Sequence, residues 1–70
     1  MAQKDSQAPR LLRLPAVLDR VGVSRASLYR MIAAGEFPAP VQLSPRSVAW
    51  PESDVSEWIE ARIAGRGDAA

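Results

Sequence analysis

The feature that most constrains this chain is a three-residue connection, "GVS" at positions 22–24, between two short helical segments. Gly22 is expected to end the first segment, because glycine adopts the left-handed conformation of a helix C-terminus at little cost. Ser24 is a good N-cap, so the second segment is expected to begin directly after it. Two helices joined this closely have no room to lie antiparallel along a long contact. They must cross steeply, which is typical of a helix-turn-helix and leaves the start of the second helix exposed.

Both segments carry the apolar spacing of a helix. The first begins at Pro15, which suits the first helical position, and extends to Val21 with its apolar residues on one face. The second is predicted from about 25 to 34 and ends before a glycine, with Leu28 and Ile32 facing inward. The opposite side of this second helix carries Arg25, Ala26, Tyr29, Arg30 and Ala33.

Residues 38–51 change to the pattern of a β-hairpin. Prolines at 38 and 40 exclude a helix, and apolar residues alternate with small or polar ones on both sides of a loop at 44–47. Arg46 lies in this loop. Because an isolated hairpin is marginal in water, we expect its apolar face to pack on the helices.

The last predicted helix lies in "ESDVSEWIEARIAG", residues 52–65, where apolar residues recur at helical spacing. Ser53 or Asp54 is expected to cap it, and Asp54 with Glu57 fits a capping box. The glycine-containing segment after Ala64 is expected to fray.

Together these elements predict a mainly α protein, a small winged helix-turn-helix of three helices plus a two-stranded β-hairpin wing. The domain is expected over residues 10–64, after a disordered N-terminal arm at 1–9 and before a flexible tail at 65–70. The expected core consists of Leu12, Leu14, Val17, Leu18, Val21, Val23, Leu28, Ile32, Phe37, Val41, Leu43, Val48, Trp50, Val55, Trp58, Ile59 and Ile63.

Composition argues against several classes of site. The chain has 70 residues, no cysteine and no histidine. It therefore lacks thiolates, the usual zinc ligands and the commonest general base at neutral pH. So short a chain also has no room for a deep cleft between two lobes. We expect no enzyme, no metal, no cofactor and no small-molecule substrate.

The sequence also bears on location. No charged start followed by an apolar run resembles a signal peptide, and no stretch approaches the roughly 18 apolar residues of a membrane span. We expect a cytoplasmic, nucleoid-associated protein with no membrane partner.

Charge is distributed unevenly, although the net charge is only +1. Residues 10–46 contain six arginines against two acids, a balance of +4, whereas residues 52–68 contain five acids against two arginines, a balance of −3. Arginine is favoured where planar, bidentate contact with phosphate or guanine is needed. High genomic G+C content also enriches arginine, so composition alone leaves both explanations open.

The outward side of the second helix supplies most of the candidate binding residues. A helix fits the major groove of B-DNA, and residues at its start reach base edges first. Arg25 or Arg30 can grip a guanine by O6 and N7, and Ala26 can touch a thymine methyl. Tyr29 can donate to a phosphate or stack on a sugar, and the amides near Ser24 can hold a phosphate. The candidate DNA-binding residues are Ser24, Arg25, Ala26, Ser27, Tyr29, Arg30 and Arg46.

Each of these candidates also has a purely structural explanation. The arginines of the helix can be solvated charges, Tyr29 can pack under the hairpin, and the two serines can serve the helix start alone. Arg46 is either a wing contact to phosphate or minor groove, or an ordinary loop charge, and we favour the contact. Arg13 and Arg20 are weaker phosphate candidates.

Four segments in this order resemble the AlpA family of small phage-encoded regulators, relatives of excisionases with a MerR-like winged helix-turn-helix. They are "GVSRASLY", "GEFP", the "RSVAW" strand and "SDVSEWIEAR", and the likeness covers about residues 11–64. The wing loop "LSPRS" departs from the glycine-rich loops often found in relatives. The resemblance implies a recognition helix whose reading surface is Ser24, Arg25, Ser27, Tyr29 and Arg30.

The residues and the resemblance together predict a sequence-specific double-stranded DNA-binding transcriptional regulator of phage or mobile-element type, with helix 24–34 in the major groove. Because one such module buries only roughly 600–1,000 Å² on DNA, we expect a homodimer or adjacent copies on repeated sites. Two alternatives stay open. One is an excisionase-like architectural protein that bends DNA, and the other is a small protein-interaction module such as an antitoxin or adaptor.

Overall fold

Three helices and a small antiparallel sheet make up the fold in a computed structural model, which describes residues 9–69. The elements are β1 (Leu11–Leu12), α1 (Leu14–Val21), α2 (Arg25–Ala33), β2 (Val41–Ser44), β3 (Ser47–Pro51) and α3 (Glu52–Ala69). The protein is therefore mostly helical, as predicted. The predicted arm falls almost entirely on residues outside the described range, and the domain boundaries stay predictions.

The predicted connection between α1 and α2 is confirmed. Gly22 has φ 78°, in the left-handed region, and its N–H donates to Leu18 O over 2.8 Å. Ser24 is extended and its Oγ accepts a hydrogen bond from Ser27 N over 3.1 Å, which makes it the N-cap of α2. A second left-handed glycine, Gly35, follows α2 at φ 77°. The chain thus reverses sharply on each side of α2.

The sheet has one strand more than the sequence predicted. The β2–β3 hairpin is present, with Pro45 and Arg46 between its strands. However, β1 pairs antiparallel with the other edge of β3, with Leu12 opposite Trp50, which gives the order β1-β3-β2. The two-residue β1 was missed because a pair of leucines has no period-2 pattern. Its pairing depends on the free edge of β3, which comes from a segment almost 40 residues further along the chain.

One apolar cluster joins all three helices to the central strand. Its fully or almost fully buried members are Val17, Leu28, Phe37, Trp50 and Val55. Each tryptophan satisfies its indole N–H. Trp50 Nε1 donates to Pro38 O over 3.0 Å, and Trp58 Nε1 donates to Glu36 O over 2.8 Å. The segment between α2 and β2 is therefore held by hydrogen bonds from the sheet and from α3.

Three expected core residues are exposed instead. Val41 and Leu43 are 43% and 47% exposed, because β2 is an edge strand whose side chains all lie at the surface. Within the hairpin, β3 makes the main contacts with the helices. Ile63 is 59% exposed, because α3 continues beyond the cluster that covers its first turns.

The start and end of α3 also differ from the prediction. The helix begins at Glu52, so Ser53 and Asp54 lie inside its first turn and the expected capping box is wrong. The Glu52 N–H instead donates to Arg10 O over 2.7 Å, across the sheet edge formed by β1. At the other end the helix extends to Ala69, beyond Ala64, and the flexibility of the tail stays a prediction. Across residues 9–69, no helix combines the length and apolar character needed to cross a membrane.

We expect Leu28→Ala to cost about 2–5 kcal/mol of unfolding free energy, because this side chain is fully buried in the shared cluster. The matched control is Leu43→Ala, which should change stability by less than about 0.5 kcal/mol because Leu43 is 47% exposed. Urea unfolding followed by tryptophan fluorescence measures both. Equal losses for the two variants would contradict the assignment of β2 as an exposed edge.

Candidate functional site

The outer side of α2 is exposed, as predicted from the sharp turn before it. Arg25 and Arg30 lie at the surface, and Tyr29 is 40% exposed. Leu28, on the opposite side of the same helix, is fully buried. Ala26 is exposed and Ser27 is half-buried. The side chains on which the DNA-binding prediction depends are thus not covered by the hairpin or by α3.

Hydrogen bonds connect the serines at the head of α2 to one arginine. Ser24 Oγ donates to Ser27 Oγ over 3.0 Å, in addition to its capping bond. Arg30 Nη2 donates to the same Ser27 Oγ over 3.3 Å. The guanidinium of Arg30 is therefore held near the N-terminal turn of the helix. Ser24 both caps the helix and supports this arrangement.

A shallow surface depression brings together side chains from α1, α2 and the hairpin. We call it the arginine depression, and it is lined by Arg13, Leu14, Pro15, Arg25, Tyr29, Arg46 and Val48. Three of the predicted binding residues, Arg25, Tyr29 and Arg46, meet here although Arg46 lies far along the chain. None of the described side chains that line it is acidic. The depression therefore combines a positively charged wall with an apolar surface.

Arg13, a weaker phosphate candidate in the sequence, lines the same depression. It is the N-cap residue of α1, with an extended backbone and no side-chain capping bond. Its side chain lines the arginine depression beside Arg25. The sequence signal was weak because Arg13 is remote from α2, and only the folding of β1 onto β3 positions the start of α1 near the hairpin.

Arg20, the other weak phosphate candidate, has a structural role. Its Nη1 lies 3.1 Å from Glu52 Oε2, and its Nη2 donates to Ser56 Oγ over 3.0 Å. Both charged side chains of this pair are one-third exposed. Such a surface pair contributes at most about 1 kcal/mol, but it ties the end of α1 to the start of α3. Arg20 is thus less available to a ligand than Arg13 or Arg25.

The fold is consistent with the class of small helix-turn-helix domains, in which a second helix after a short turn presents an exposed face. Residues 10–63 match the family model described as Prophage CP4-57 regulatory protein (AlpA), and the chain belongs to this family. The predicted resemblance is therefore confirmed.

Two relatives have been found in a phage and in a bacterium. One is ORF88 of Enterobacteria phage P4, an uncharacterized protein, which is 44% identical over 66 residues covering 94% of this chain and 75% of the relative. The other is the DNA-binding transcriptional activator AlpA of Escherichia coli strain K12. It is 36% identical over 61 residues, covering 79% of this chain and 87% of the relative.

We expect Ser24→Ala to lower stability by about 1 kcal/mol, because it removes the capping bond to Ser27 N at the head of α2. The control is Ser53→Ala, an exposed position inside the first turn of α3, which should be nearly neutral. Thermal unfolding by circular dichroism compares the two. A Ser24→Ala variant as stable as the wild type would contradict the assignment of Ser24 as the N-cap of α2.

Proposed function

We propose that this chain is a sequence-specific double-stranded DNA-binding transcriptional regulator of phage or mobile-element type. The observation that carries the proposal is the exposed arginine-bearing side of α2, directly after a sharp turn, in a member of a family described as a prophage regulatory protein. The name of the Escherichia coli relative, a DNA-binding transcriptional activator, supports the same function. The occurrence of a relative in phage P4 supports the mobile-element origin. Such a role places the protein at the nucleoid.

In this proposal α2 lies in the major groove. The groove of B-DNA is about 12 Å wide, which admits one α-helix with its side chains. Arg25 or Arg30 grips a guanine through O6 and N7, and Ala26 lies close enough to the groove floor to contact a thymine methyl. Both arginines are at the surface, so neither needs the core to rearrange before it can contact a base.

Other side chains would position the protein on the backbone. Tyr29 donates to a phosphate, and backbone N–H groups at the head of α2, next to the Ser24 cap, donate to another phosphate. The β2–β3 hairpin acts as a wing, and Arg46 in its turn contacts phosphate or the adjacent minor groove. These contacts supply register and much of the affinity, while the base contacts supply sequence preference.

A single domain of this size buries too little DNA surface to recognise a long operator by itself. We therefore propose that it acts as a homodimer or as adjacent copies on repeated sites. The outer turns of α3 are the surface available for pairing, because Ala61 to Arg66 are all exposed and include the apolar Ile63.

The test is selection of duplexes from a randomised pool, followed by fluorescence anisotropy over a salt series. We expect affinity to fall steeply with salt, because arginine contacts to phosphate release counterions. Alanine at Arg25 and at Arg30 should each weaken binding, and the one that reads guanine should cost about 1–3 kcal/mol and relax specificity at one position. Arg10→Ala is the control for charge alone, since Arg10 is exposed and does not line the arginine depression.

A protein-interaction module would bind no duplex and show no salt slope. Loss of the fold in Arg25→Ala would also contradict the proposal, because that side chain is placed at the surface. Bending of the selected duplex, measured by energy transfer between its ends, would favour the architectural alternative over regulation at a promoter.

We expect more than one copy of the protein per selected duplex in sedimentation velocity. If pairing uses α3, Ile63→Glu should lower the stoichiometry, whereas Leu43→Glu on the exposed edge strand should not. Two copies that bind independently of position 63 would instead indicate adjacent copies on repeated sites. One copy per duplex would contradict both forms of the proposal.

A further inference from the structure

We infer that Arg13, Arg25 and Arg46 bind one and the same backbone phosphate of DNA, in the arginine depression. This inference rests on the proposed function and refines it. It assigns Arg25 to the backbone, and it leaves Arg30 as the arginine of α2 that reads a base.

The first argument is the convergence of charge. Three arginines from three separate parts of the chain line one depression, and none of the described residues around it is acidic. Like charges gathered in a concavity repel one another, so the arrangement favours an anion that enters between them. Phosphate suits arginine because the guanidinium fork makes two parallel, charge-assisted hydrogen bonds to its oxygens.

The second argument is the apolar part of the same depression. Leu14, Pro15 and Val48 line it together with the exposed edge of Tyr29. A free phosphate makes no favourable contact with an apolar surface. A deoxyribose joined to the phosphate can pack on it. The tyrosine hydroxyl can donate to a phosphate oxygen at the rim. The mixed lining therefore fits a sugar-phosphate unit of a DNA strand.

The third argument separates the two arginines of α2. Arg25 lines the depression beside Arg13 and Arg46, and Arg30 does not. Arg30 is instead held by Ser27 Oγ, which keeps its guanidinium near the N-terminal turn where a helix first reaches base edges. In this arrangement the hairpin does not need to enter the minor groove. Arg46 and α2 grip the backbone together, so the wing fixes the depth of the helix in the groove.

The experiment neutralises single phosphates in the selected duplex with methylphosphonate, one position at a time, and measures affinity by anisotropy. For the wild-type protein, one phosphate per bound copy should be especially sensitive, with about a tenfold loss or more. The variants Arg13→Ala, Arg25→Ala and Arg46→Ala should each bind more weakly, keep their base preferences and lose the sensitivity at that same phosphate. Arg30→Ala should keep the sensitivity and lose a base preference.

The controls test for effects of charge and of folding, and the contrary outcomes separate the shared site from the proposed function. Arg10→Ala should match the wild type, because Arg10 is exposed and does not line the depression. Thermal unfolding checks each variant, with a glutamine variant replacing any alanine variant that is destabilised. If the three arginine variants lose the methylphosphonate effect at three different phosphates, the shared site is wrong, but the proposed function still holds. A relaxed base preference in Arg25→Ala would overturn the shared site as well. If no duplex is selected at all, the proposed function and this inference both fail.

Discussion

The left-handed turn at Gly22, closed by the Ser24 cap, is the constraint on which the rest of the structure depends. It ends α1 and starts α2 within three residues, so the two helices cannot share a long contact. Leu28 then anchors α2 in the common cluster. Because a helix buried on one side leaves its other side to solvent, this single anchor determines that Arg25, Tyr29 and Arg30 are exposed.

Two indole hydrogen bonds hold the segment that connects α2 to the hairpin. Trp50 and Trp58 donate to Pro38 O and Glu36 O, which are both in the segment that leads from α2 into β2. An indole N–H that is buried or half-buried without a hydrogen-bond partner costs folding free energy. Both hydrogen bonds are therefore strongly favoured in the folded protein. They hold in place the segment through which the chain passes from α2 into the hairpin.

Basic and acidic side chains are concentrated in different parts of the protein. The side that faces the proposed ligand carries Arg13, Arg25, Arg30 and Arg46. Two acids of α3, Glu52 and Asp54, lie in its first turn, where the helix dipole favours them, and Glu52 neutralises Arg20. Further along α3, Arg62 stacks over the ring of Trp58 at 4.6 Å. Two of the remaining arginines are therefore committed to internal contacts, and the side chains available to an anion are concentrated around α2 and the hairpin.

Whether a part of the site could be predicted depends on how far apart in the sequence the interacting residues lie. The helix ends at Gly22 and Ser24, the exposed face of α2 and the hairpin turn were predictable, because each depends on residues within a few positions of one another. The place of Arg13 in the lining of the arginine depression was not predictable, because β1, which precedes it, is too short to carry a pattern. Val41 and Leu43 were placed in the core because alternation shows which residues share a face but not whether anything covers that face.

The sequence by itself determined where each helix begins and ends around Gly22 and Ser24, which side of α2 is apolar, and that arginine is concentrated before residue 47. Those properties follow from local backbone preferences and helical periodicity. Only the tertiary structure decided that a third strand forms, that α1 and α3 cover β3 but not β2, and that Arg13, Arg25 and Arg46 share one depression. The physical reason is that strand pairing and burial join segments distant in the chain, and no local pattern specifies which distant partner a segment meets.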